Sequence, residues 1–117
     1  MSAGEPCGDN PQPANITADI PEQLPQELTQ TLCHSTAVRV ERIVSQGHAS
    51  AADFWYEQDE HEWVLLLSGG AILQWGDGTE QALAPGDYVL IPARTRHRVA
   101  GTLASELSIW LAVFFTD

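Results

Sequence analysis

From Ala37 to the C-terminus, apolar positions come in short runs broken by Gly, Pro and Asp. Ala37–Val44 predicts a strand with Val38 and Val40 on one face and Arg39 and Glu41 on the other. Phe54–Gln58 predicts a short aromatic strand. Glu62–Ser68 predicts a longer one, apolar on both faces as a buried layer requires. Gly69-Gly70 turns the chain into a strand over Ala71–Trp75. The Asp77-Gly78 pair is a strong hairpin signal before Glu80–Leu83. After the turn Ala84-Pro85-Gly86-Asp87 come Tyr88–Ile91, ended by Pro92, then Arg96–Ala100 and Leu107–Phe115. So many short strands, with no room for crossover helices, predict an antiparallel sandwich or barrel.

The N-terminal third reads differently. Residues 1–14 are rich in Gly, Pro and polar groups and predict a disordered tail. Asn15–Ile20 could form a short strand. Leu24, Leu28 and Leu32 recur every four residues, predicting a short helix over Pro21–Cys33 with its prolines near the first turn. The expected organisation is therefore a tail (1–14), a strand and helix (15–36), and a β barrel (37–117).

Composition narrows the partners. Sixteen acidic residues face five basic ones, all arginine, for a formal net charge of −11. Such a surface repels nucleic-acid backbones and anionic lipid headgroups, so neither is an expected partner. No apolar run reaches the length of a membrane span, and the first fourteen residues do not resemble a secretory signal. A cytoplasmic location is the expectation. Two cysteines, Cys7 and Cys33, are too few for a disulfide framework and lack metal-ligand spacing.

Two residues stand out for chemistry. Glu62 lies seven residues before Gly69, and His97 lies five after Pro92 and eleven after Gly86. A carboxylate and an imidazole on separate strands could meet inside a barrel, as ligands of a divalent metal or as an acid–base pair for a bound molecule. With these spacings, residues 38–115 resemble the cupin superfamily. The run Gly-Asp-Tyr-Val-Leu-Ile-Pro over residues 86–92 is the most specific part. The resemblance implies a double-stranded β-helix (jelly roll), hence an all-β fold with the short N-terminal helix added. It also implies a metal or small-ligand site inside the barrel and a tendency to form homodimers, which apolar strands near both ends favour as well.

The departures from the cupin pattern bear on that site. The His-x-His pair would fall on Tyr56 and Gln58, or on Trp55 and Glu57. Arg94 stands where the second motif has Gly, and Gly101 where it has Asn. A metal set here would be Gln58, His61, Glu62 and His97, with Glu57 as the alternative to Gln58 and Tyr56 to His61, oxygen-rich and weaker for zinc than three histidines. Strict alternation points His61 away from Glu62. Tyr56 and Gln58 share one face of their strand and Trp55 and Glu57 the other, so one pair lines the cavity. Three arginines, Arg94, Arg96 and Arg98, crowd around His97. They are either a solvated edge paired with carboxylates or a cationic rim in which Arg98 guides an anionic ligand. Three functional expectations remain: a cupin holding a divalent metal and a small organic molecule, which leads; a metal-free binding or sensing module; and a structural or interaction protein in which the motif residues are relics. The sequence assigns no reaction and no catalytic residue.

Overall fold

The computed structural model describes residues 10–117, and these hold eight strands and no helix. They are β1 (Leu28–His34), β2 (Val38–Ser45), β3 (His61–Ser68), β4 (Ala71–Trp75), β5 (Glu80–Leu83), β6 (Tyr88–Ile91), β7 (His97–Thr102) and β8 (Ser108–Phe115). All pairings are antiparallel. They form one five-stranded sheet in the order β1-β2-β8-β3-β6 and one three-stranded sheet in the order β5-β4-β7. This is the antiparallel all-β architecture the strand pattern predicts, in the jelly-roll form that the cupin resemblance implies. The predicted tail lies mostly outside the described residues, and so does Cys7; Cys33 is an exposed free thiol.

The interior is filled from both sheets. Val64, Leu66, Ile91 and Trp110 of the larger sheet meet Ala71, Leu73 and Leu83 of the smaller. Alternation sets which residues face inward, and strand register sorts them into rows. One row runs Arg39–Phe114–Glu62–Ile91, the next Glu41–Ala112–Val64–Val89, and the third Ile43–Trp110–Leu66. The chain crosses between sheets at Gly69, whose φ is +83° and where a Cβ would lie 2.3 Å from Ser108 Oγ. Only glycine fits so close an approach in a left-handed backbone.

Two N-terminal expectations are corrected. The helix predicted over Pro21–Cys33 is absent; Leu28–His34 is instead an edge strand paired with β2. A spacing of four is a multiple of the strand period as well as close to the helical one. Thr29 and Thr31 favour the extended form, which gains a ladder of hydrogen bonds. Asn15–Ile20 is not a strand but a turn, in which Asn15 Oδ1 accepts from the Thr17 N–H (2.8 Å) and hydroxyl (2.6 Å). Arg42, only 4% exposed, clips this turn to the sheet by donating to the carbonyls of Ile16 (3.1 Å) and Ala18 (2.6 Å) and to the Gln30 amide oxygen. The strand predicted over Phe54–Gln58 shrinks to one bridge, Tyr56 with His97. No helix among the described residues is long and apolar enough to cross a membrane.

Candidate functional site

His97 opens β7 and is 3% exposed. The Tyr56 bridge holds it in place: Tyr56 N–H donates to the His97 carbonyl at 2.7 Å, and His97 N–H to the Tyr56 carbonyl at 3.0 Å. Two residues on, Arg94 N–H donates to the Gln58 carbonyl at 2.7 Å. These bonds fix the segment so that Tyr56 and Gln58 line the barrel cavity while Glu57 is exposed. The Tyr56 ring stacks on the His97 imidazole, with centroids 5.4 Å apart and planes 24° from parallel.

Glu62 reaches the same place from β3. Its Oε1 lies 3.4 Å from His97 Nε2 and accepts from Gln58 Nε2 at 3.1 Å. The other imidazole nitrogen of His97, Nδ1–H, donates to the Thr95 carbonyl at 2.8 Å. Nε2 is therefore the nitrogen turned toward Glu62. Burial by itself lowers the His97 pKa, but the hydrogen bond to Glu62, the Thr95 carbonyl and the Glu62 charge outweigh it, and the group is raised above its usual value. Tyr56 is raised too, by burial first and then by the negative charges of Glu27 and Glu62. Its phenol stays protonated across the physiological range.

The cavity around this cluster measures about 260 Å³. Its polar side carries Glu27, Arg39, Glu41 and Gln58, and its apolar side Val64, Leu73, Ile91, Val99 and Trp110. Four lining residues escape the sequence reading. Glu27 and Thr29 lie in the stretch read as helix. Arg39 and Glu41 look like a solvated strand face. Ile43, two residues further along the same face, is the available sign that this face turns inward.

Several expected site residues go elsewhere. His61 points to the opposite face, where Nε2–H donates to Asp117 at 3.1 Å, Nδ1 accepts from Ala93 N–H at 2.9 Å, and the ring packs on Phe115. Arg98 does not line the cavity: it donates to Gln74 Oε1 (2.7 Å) and the Ser50 carbonyl (3.0 Å) and, with Arg96, covers the Trp55 ring. Of the expected metal set, only Gln58, Glu62 and His97 come together. Among the described residues no three His, Cys, Asp or Glu side chains converge as a metal centre. The donors at hand are one imidazole, one carboxylate and one neutral amide, which falls a strong ligand short of a tight divalent site.

The cupin-domain family model matches residues 41–114. The chain belongs to the cupin family. A solved structure from Ralstonia eutropha JMP134, provisionally named a mannose-6-phosphate isomerase, is 40% identical, with a TM-score of 0.87 over 92% of this chain and 100% of that one. A cupin superfamily protein from Desulfitobacterium hafniense DCB-2 is 23% identical (TM-score 0.69, 84% of each chain). An RmlC-like cupin with a double-stranded β-helix fold from Methanocaldococcus jannaschii is 12% identical (TM-score 0.65, 83% of this chain and 86% of that one). These last two share the fold. No curated protein sequence matches the chain.

As a cupin, the chain shows why its second motif carries a glycine where Arg94 stands. Pro92–Thr95 is a tight turn closed by Thr95 N–H on the Pro92 carbonyl at 3.2 Å, and Arg94 has a φ of +66°. That left-handed backbone costs a side chain roughly 1–2 kcal/mol that glycine escapes. The Arg94 side chain recovers little, because its ion pair with Asp59 (3.4 Å) is open to solvent on both sides.

Proposed function

We propose that this cupin binds a small, hydroxylated organic molecule inside its barrel, held by Glu62 and His97 with Tyr56 and Gln58 beside them. The observation that carries the reading is the buried Glu62–His97 contact facing a cavity large enough for a molecule of about sugar size. The Ralstonia relative is named for an enzyme of a phosphorylated hexose, and of that name only the hexose is carried over to this chain as support. The pair can donate and accept at adjacent atoms: His97 Nε2 carries a proton readily, and Glu62 accepts one. Such a pair can orient a hydroxyl or carbonyl group, or move a proton on it, and the reading stops short of a named reaction. Calorimetric titration with monosaccharides tests it. His97→Ala and Glu62→Gln should each weaken binding at least about tenfold, as expected when a buried charge-assisted hydrogen bond is lost. Unchanged affinity in both variants would end this reading.

A second reading has Glu62, His97 and Gln58 hold a divalent cation. One observation favours it: the Thr95 carbonyl orients His97 much as outer carbonyls orient metal-bound imidazoles, leaving Nε2 free toward Glu62. Bound metal would act as a Lewis acid on the ligand's oxygens. Adding Co²⁺, Ni²⁺ or Zn²⁺ should then raise the melting temperature of the wild type and of His48→Ala but not of His97→Ala. A second copy of the chain is the proposed protein partner. The outward face of the larger sheet carries the row Val40–Val113–Trp63–Leu90 beside Leu111, Leu65 and Tyr88. Tyr88 is 65% exposed and Leu90 55%, adjacent apolar side chains that a second copy could cover.

A further inference from the structure

We infer that the barrel cavity selects a small protonated amine bearing hydroxyl groups and rejects phosphorylated sugars. The inference rests on the ligand-binding reading above and adds the charge of the ligand. It begins from an inventory of cations. The chain has no lysine, so its five arginines are its only permanently positive side chains. Arg42 holds the N-terminal turn, Arg94 faces Asp59, and Arg96 and Arg98 cover Trp55 outside the cavity. Arg39 alone lines the cavity, and its charge is already offset by two carboxylates. Its Nε donates to Glu41 at 2.6 Å and its Nη1 to Glu60 at 3.0 Å, with the guanidinium 4.3 Å above the Phe114 ring. A phosphate dianion entering here would meet no cation in excess of the carboxylates around it, because Arg39 lies against Glu41 and Glu60 and His97 against Glu62. Desolvating such an anion without an available cation is strongly unfavourable.

The negative side of the inventory is richer. Glu27, Glu41 and Glu62 all line the cavity. Glu41 is matched by Arg39 and Glu62 by His97. Glu27 accepts only the Ser45 hydroxyl, at 2.6 Å, and has no cationic partner among the described residues. It also stands, with Tyr56, between the barrel cavity and a neighbouring pocket of about 290 Å³. A ligand passing either way meets a carboxylate and an aromatic ring together, the combination that attracts an ammonium group. The charges of Glu27 and Glu62 both act on the Tyr56 hydroxyl, so an ammonium beside it would feel both carboxylates.

Hydroxyl groups are implied by a different observation. Trp110 lines the apolar end and is 4% exposed, and its indole N–H has no hydrogen-bond partner among the described residues. Buried donors are rarely left unpaired, and this one, closed off from the open cavity, gains a ligand oxygen as acceptor once the side chains over it shift. Gln58 and the Tyr56 hydroxyl add further partners on the polar side.

Three hexoses alike in ring and size but different in charge test the selection. At about pH 6.5 and low salt, D-glucosamine carries an ammonium, D-glucose is neutral and D-glucose 6-phosphate is an anion. Isothermal titration of the full chain should rank glucosamine at least about tenfold tighter than glucose, with no binding of the phosphate. Glu27→Gln should weaken glucosamine about tenfold, whereas Glu106→Gln, at an exposed position in the loop before β8, should leave it unchanged. Circular dichroism of each variant establishes that it is folded. Equal affinities for glucosamine and glucose, tighter binding of the phosphate, no effect of Glu27→Gln in a folded protein, or no binding of any probe would each overturn the inference. If glucose binds as well as glucosamine and His97→Ala abolishes both, the site stands and its charge selection falls. If glucosamine binds but ignores both His97→Ala and Glu62→Gln, the ligand sits elsewhere and both readings fall.

Discussion

The two ends of the barrel are built from the same strands, yet one end is dry and the other polar. At the dry end, Ile43, Trp110 and Leu66 sit in one row, and Leu66 is fully buried. Four residues back along β3, on the same face, Glu62 sits between Phe114 and Ile91 with Arg39 beyond. Alternation puts both rows inside and does not tell them apart. What separates them is closure. The dry row packs against Leu73 and Leu83 of the smaller sheet and gives the cavity only apolar lining through Ile43 and Trp110, whereas the polar row opens toward Tyr56, Gln58 and His97. Inward-facing is therefore not the same as core, and the polar end is where binding chemistry is affordable.

The largest expected effect breaks the dry end. Leu66→Ala should cost about 2–5 kcal/mol in urea denaturation, because it removes a fully buried side chain and leaves a cavity. A cost below about 1 kcal/mol would mean that end is as loosely packed as the other.

A smaller effect separates the ends by pH. The folded-state pKa of His97 is raised above the usual 6.5. The stability it contributes is therefore fully present below about pH 6.5, the unfolded value, and is lost as pH climbs through the folded one. Wild-type stability measured from pH 5 to 9 should show this decline, and His97→Asn should flatten it. A decline of the same size in both proteins would place its source outside the Glu62–His97 pair.

Relief of backbone strain next to the polar end comes third. Arg94→Gly should raise stability by about 1 kcal/mol, since φ of +66° suits glycine and the lost ion pair is exposed. Thermal denaturation reads the change, and a lowered melting temperature would show that the Arg94 side chain does more than its contacts suggest. Leu90→Lys should have the least effect on the monomer, because the residue is exposed on the outer face. It should instead shift sedimentation from dimer toward monomer while leaving ligand binding intact. A wild-type chain that sediments as a monomer at micromolar concentration would remove the proposed partner.

Local signals carried the β architecture. The Asp77-Gly78 and Pro85-Gly86 turns and the strands around them are short-range features, and the structure has them at the expected positions. The Leu24, Leu28, Leu32 stripe misled because one spacing serves two periods, and only pairing with β2 chose the strand. Within the candidate site, Glu62 and His97 could be picked out by their distances from glycine and proline, which are fixed by turns. That alternation turns His61 away from Glu62 was also readable.

The sequence by itself determined the alternation, the turns and the absence of lysine, because each is local or a matter of composition. Only the tertiary structure decided that Glu27, Arg39 and Glu41 share a cavity with His97, and that Arg98 does not. Those residues lie on segments far apart in the chain, and sheet register, a sum over many weak backbone pairings, brings them to one end of the barrel. It also decided which cations are already engaged. An arginine's availability depends on the carboxylates that folding places beside it, and no spacing along the chain encodes that.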